Sequence, residues 1–244
     1  MGRSHAICGL ISGVGLDALA SSAPLPIKGL VVITAGGAAL LPDLDHPSAT
    51  AARSLGIVTK LIAALVDRAC LALYYATATP ADPPDRKSGH RLGTHTVPAG
   101  LLAGGVTAGI GWVSPVAVAV VVALLAGLLA HGVKVAGTGL FWTAGIVSLW
   151  VFYQETGWSW LVSLAVTVGC LIHIWGDWCT NSGVPALWPI TSRGRRWRLV
   201  HAPVTFRAGD AVETAVVRPL LYVGLAVAVA WETGLIQAIV RTRT

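Results

Sequence analysis

From Val97 to His131 the chain carries no Asp, Glu, Lys or Arg. A charge-free stretch of this length is what a lipid bilayer selects, since a helix needs about 20 apolar residues to cross a hydrocarbon core roughly 30 Å thick. Gly111-Trp112-Val113-Ser114-Pro115 breaks the stretch, which predicts two spans joined by a tight turn. The whole chain agrees: 55% of its 244 residues are hydrophobic and only 11% are charged. That excludes an ordinary soluble domain and leaves no long polar stretch from which to build a second one. Gly is abundant (28) and Phe scarce (3), as in membrane helices that pack through small residues.

The remaining runs complete an all-α, polytopic transmembrane helix bundle of about 6–7 spans plus an amphipathic interfacial helix. Met1–Ala23 has the outline of a signal peptide, but Asp17 and Gly9, Gly13 and Gly15 interrupt it, so a retained segment is expected. Leu25–Leu41 is a short run that is tilted or re-entrant if it crosses. Over Ser54–Tyr75, Lys60, Asp67 and Arg68 fall on one helical face with Arg53, opposite Ile57, Leu61, Ile62, Leu65, Ala69 and Leu73. This helix suits the interface or the flank of the bundle. Thr138–Tyr153, Thr156–Gly176 and Pro219–Val240 are further apolar runs. The expected organisation is a single membrane-embedded domain, 1–244, with a motif-bearing core at 5–190 and a basic loop and apolar helix at 191–244. Cys8, Cys70, Cys170 and Cys179 form no CxxC pair, so no disulfide framework is expected.

In so apolar a chain, clustered ionisable groups mark function by default. Leu41-Pro42-Asp43-Leu44-Asp45-His46-Pro47-Ser48 is one cluster. His90-Arg91-Leu92-Gly93-Thr94-His95-Thr96 is the second, and His173-Ile174-Trp175-Gly176-Asp177 the third. If Ser54–Tyr75 does not cross, counting spans places all three, with His5, on one side of the membrane. Arg3, Arg53, Arg86, Lys87, Arg91, Lys134 and Arg193–Arg198 fall on that side, and Lys28 and Glu155 on the other. The positive-inside rule makes the shared side the cytoplasm.

His173 and Asp177, at i and i+4, project from one helical face. Together with Asp43, Asp45, His90 and His95, they form a set of nitrogens and oxygens suited to zinc first, then manganese or iron. Such a metal lowers the pKa of bound water towards 7, and a carboxylate outside its ligand set can act as general base. Arg91 has the geometry to bind phosphate. His46 is the least certain member of its cluster. His131 and His201 lie outside the clusters and are expected to be hydrogen-bond partners.

The three blocks, with Thr180, Gly183 and Trp188-Pro189, resemble those of the YdjM-type membrane-bound metal-dependent hydrolases. The resemblance covers roughly residues 5–190. Family members more usually carry Gly directly after the His-Arg pair and Ser after the second histidine, where this chain has Leu92-Gly93 and Thr96. The resemblance implies a multi-pass protein of the bacterial inner membrane with a divalent metal held by His5, Asp43, Asp45, His90, His95, His173 and Asp177. Asp45, Arg91 and Thr94 are then the candidate catalytic residues. The same elements are also similar, in pattern only, to zinc-dependent phospholipases C, which gives membrane lipid as a partner and a lipid phosphoester as the candidate substrate.

Two other readings stand beside this one. YdjM-type proteins are described as binding the LexA repressor, and Arg193–Arg198 would then present a surface to a regulatory protein. Anchoring on lipid headgroups is the better use of that basic run, which argues against direct nucleic-acid binding. A metal or proton transporter would need buried acids near mid-membrane, for which only Asp17 and Glu232 are available.

Overall fold

A computed structural model describes residues 1–49, 51–54, 56–134, 137–154, 156–236 and 238. Among these residues it contains eight α-helices and no named strand: α1 Gly2–Asp17, α2 Leu25–Ala38, α3 Ile57–Thr77, α4 Val97–Val113, α5 Pro115–Val133, α6 Gly137–Gln154, α7 Ser159–Trp178 and α8 Arg218–Glu232. The all-helical class expected from the sequence is therefore what forms. Among the described residues, four segments are long and apolar enough to cross a membrane: Leu25–Asp45, Pro115–Val133, Ser159–Trp178 and Glu213–Glu232. Glu155 and the end of the final apolar run lie outside the described residues.

Local chemistry accounts for the helix boundaries. The Thr96 hydroxyl accepts from the Ala99 amide and opens α4, with Pro98 in its first turn. Ser114 does the same for α5 through Ala117, with Pro115 at its start. Both are Ser/Thr caps followed by proline, which relieves unpaired amides at a helix start. The break at Ser114 lies within the stretch that the sequence singled out.

α2 is the organising helix. It packs against α1, α5, α6 and α7, while α4 packs on α7 and α6 on α5. Small residues make this possible. A Cβ at Gly9 of α1 would stand 2.5 Å from the Ala35 carbonyl oxygen, and one at Gly169 of α7 would stand 2.6 Å from the same atom. Two helices thus press on one turn of α2, a packing mode common where lipid supplies no hydrophobic drive.

The amphipathic helix α3 differs in one respect from the simplest expectation. It buries Thr59, Ala63, Cys70 and Tyr74, whereas Ile57, Leu61 and Leu65 of the apolar face are exposed. Its inner stripe, Tyr74 included, rests on the protein, and its large aliphatic side chains face outward, as on a helix lying along lipid. The loop after α7 is pinned by isolated bridges, Thr180 with Phe206 and Val184 with Val200.

Candidate metal centre

Helix polarity alone collects the three clusters. The start of α1, the end of α2, the start of α4 and the end of α7 all meet at one pole of the bundle. His5 sits in the first turns of α1. Asp43 and Asp45 lie in a 3-10 turn, Pro42–Asp45, that continues α2. His95 ends a second 3-10 turn, Gly93–His95, that leads into α4. His173 and Asp177 occupy the last turns of α7. The side chains expected from the sequence therefore come together: His5, Asp45, His95, His173 and Asp177 are all buried, while Asp43 and His90 stand at the rim.

Hydrogen bonds fix the ring tautomers. His173 Nδ1 lies 2.8 Å from the Ala39 carbonyl oxygen. A carbonyl only accepts, so Nδ1 carries the hydrogen, and in the neutral ring Nε2 keeps a lone pair. His90 Nδ1 lies 2.7 Å from Asp45 Oδ1, and His95 Nδ1 3.2 Å from Asp45 Oδ2, so these rings likewise present Nε2. The His95 and His173 Nε2 atoms face each other at 3.2 Å. His173 Nε2 is also 3.7 Å from Asp43 Oδ1, and His95 Nε2 3.4 Å from Asp177 Oδ2. His5 stacks on His173 with ring centroids 3.9 Å apart and points Nε2 at Asp177 Oδ1, 3.3 Å away. His5 Nε2 and Asp177 Oδ2 are buried and have no hydrogen-bond partner. Buried polar atoms without partners are costly, and these two face the same small volume as the other lone pairs.

Asp45 is differently placed. Besides the two histidines, it accepts from the Thr94 hydroxyl at 2.6 Å and the Arg91 amide at 3.1 Å. Both of its oxygens are occupied by donors. Arg91 holds a left-handed backbone, φ 57°, which is uncommon outside glycine. Its guanidinium donates to Asp177 Oδ1 at 2.9 Å and to Thr180 Oγ1 at 3.0 Å. One residue thereby ties the second cluster to both of the others.

The field of these carboxylates is felt at His95. Burial alone would lower its pKa, but Asp177 and Asp45 outweigh burial and push it up to about 9. A positive charge is therefore favoured where His95 meets its neighbours. A proton supplies it in one way, and a divalent cation among the same atoms in another.

His46 joins the cluster only loosely. Its Nδ1 is engaged by Ser48 at 2.8 Å, and its ring meets that of His90 edge-on. His201 Nδ1 donates to the Ala202 carbonyl and lies apart from the centre. Asp17 and Glu232 are at the ends of α1 and α8, and Glu232 pairs with Lys28 at 3.3 Å. Two supports had no sequence signal of their own. The Ala39 carbonyl is one of the free carbonyls at a helix end. Glu213, fully buried, accepts from Ser4 at 2.6 Å and so secures the turn that carries His5.

A family model described as YdjM inner membrane protein matches residues 1–239. No curated protein and no solved structure matches the chain.

Proposed function

This chain belongs to the YdjM inner membrane protein family, and from that premise we propose that it is a multi-pass, metal-dependent hydrolase whose site faces the cytoplasm. The observation that carries the reading is the convergence of bare imidazole nitrogens and carboxylate oxygens of His5, Asp43, His90, His95, His173 and Asp177 on one buried volume. Neighbouring donor atoms of His95, His173, Asp43 and Asp177 lie 3.2 to 3.8 Å apart, and His5 Nε2 and Asp177 Oδ2 have no hydrogen-bond partner, an arrangement that fits a divalent ion of the zinc, manganese or iron class.

When bound, such an ion supplies a hydroxide nucleophile at neutral pH and polarises the scissile group. The chain's own residues do the rest. Asp45 orients His90 and His95 and raises their basicity as ligands, as a carboxylate behind a metal-bound histidine does. Thr94 and the Arg91 amide hold Asp45 in that role, and the Arg91 guanidinium holds Asp177. We therefore assign Asp45, Arg91 and Thr94 as positioning residues. Asp43, at the rim and free of such donors, keeps its oxygens available to the ion.

A lipid ester, in particular a phosphoester, is the substrate class that the surroundings support. Leu41 and Leu44, which flank Asp43, open onto a cavity of about 550 Å³ continued by Ala99, Leu102, Leu125 and Leu128. Its volume is within the range of ligand sites, and its largely apolar wall, which includes Thr59 and Thr107, runs along α4 and α5. An acyl chain fits there with its headgroup at the histidines.

Metal analysis of the purified protein tests the reading. Stoichiometric transition metal is expected in the wild type and a lower content in His173→Ala with Asp177→Ala. Turnover of phospholipid in mixed micelles should stop on chelation and return with metal. A wild type that neither carries nor takes up such a metal would sink the reading.

A further inference from the structure

We propose that the pole of this bundle holds two divalent ions, one in His5–His173–Asp177 and the other in Asp43–His90–His95. The proposal rests on the reading of the cluster as a metal centre and adds the number of ions and their separate ligand sets.

The six donors divide into two groups. The candidate ligand atoms of His5, His173 and Asp177 lie within 4.8 Å of one another, and so do those of Asp43, His90 and His95. Each group has the same composition, two histidines and one aspartate. Two imidazoles and one carboxylate bind a divalent ion while leaving positions open for water and substrate. Six protein donors around one ion would fill an octahedral shell and leave no place for water.

Each group also has its own supports. In the first, the Ala39 carbonyl sets the His173 ring and Arg91 holds Asp177. In the second, Asp45 sets both histidine rings, with the Thr94 hydroxyl 3.0 Å from His95 Nδ1. The groups meet where His95 Nε2 faces His173 Nε2 at 3.2 Å. A single ion seated between those two atoms would take one histidine from each group. It would leave His5 Nε2, buried and without a hydrogen-bond partner, unused.

Charge points the same way once the substrate is considered. With the histidines neutral, the centre has the carboxylates of Asp43, Asp45 and Asp177 against the Arg91 guanidinium. One divalent ion neutralises that excess. A second leaves a positive centre, which a phosphoester anion requires and a neutral carboxylic ester does not. Paired ions that clamp the attacking and leaving oxygens are a recurrent device for phosphoester displacement.

Manganese loading of the detergent-purified chain decides the matter. Wild type should take up two Mn²⁺ per chain and give an exchange-coupled paramagnetic resonance spectrum. His5→Ala and His90→Ala should each keep one ion and show an uncoupled spectrum, and His5→Gln and His90→Gln provide milder versions of the same losses. If the alanine variants do not purify, the wild-type stoichiometry and coupling decide alone. One ion per chain at saturation, or full wild-type loading in both variants, overturns the two-ion assignment and leaves the hydrolase reading standing. No manganese bound at all overturns both.

Discussion

Asp82 and Asp177 are both buried aspartates in a chain with few charges, yet they face opposite kinds of atoms. Asp82 Oδ2 accepts from the Thr79 amide at 2.8 Å, the Thr79 hydroxyl at 3.0 Å and the Arg196 amide at 3.2 Å, while Oδ1 accepts from the Trp197 amide at 3.1 Å. Burial would raise its pKa, but these donors outweigh burial and hold it below the usual carboxylate range. Asp177 receives Arg91 on one oxygen, and the other, without a hydrogen bond, faces imidazole nitrogens. A carboxylate ringed by N–H groups fastens a loop. One that faces lone pairs calls for a cation. Burial by itself separates the two roles poorly, and the identity of the facing atoms separates them well.

The contrast can be broken experimentally. The largest effect is expected from Asp177→Asn, which should remove the ion held with His5 and His173 and so halve the metal content, measured by elemental analysis after gel filtration. Next is Asp45→Asn, which keeps every ligand but misorients His90 and His95; metal affinity should fall about 10–100-fold, read by competition with a fluorescent chelator. Asp82→Asn should lower stability by about 1–3 kcal/mol in detergent unfolding while leaving metal affinity unchanged. Equal metal loss in Asp82→Asn and Asp177→Asn would erase the distinction.

Asp82 also makes a pH prediction. Its folded pKa is lowered, so its contribution is fully present above its ordinary value of 3.8 and is lost as pH falls through the lower folded value. Wild type should therefore lose part of its advantage over Asp82→Asn in that acid window and keep it at pH 7. The smallest effect is expected from Gly176→Ala, whose Cβ would stand 2.9 Å from His5 Nδ1. The imidazole must shift, and metal affinity should fall by less than in Asp45→Asn, with stability nearly unchanged.

Much of this centre could be read from the chain. His173 and Asp177 are one helical turn apart, and the alternation of runs and loops carries the three clusters to one pole. What could not be read is direction. Asp43 and Asp45 are two apart in a 3-10 turn of three residues per turn, so they diverge, and only packing decides that Asp43 meets His173 while Asp45 meets His90 and His95. Arg91 is similar: its residue type suits phosphate, but its left-handed backbone turns it onto Asp177. In α3 the residue pattern shows an apolar face without showing whether protein or lipid will cover it.

The order in which the ligands leave the ribosome has a consequence for biogenesis. Asp43, His90 and His95 have all been synthesised before α4 begins, whereas the group containing His5 waits for His173 and Asp177, four helices later. One half of the centre is thus chemically complete while the chain is still being threaded into the bilayer. The other half closes only when α7 docks between α1, α2 and α4. On the two-ion proposal, the second ion is seated only once the last helix of the core has reached its place.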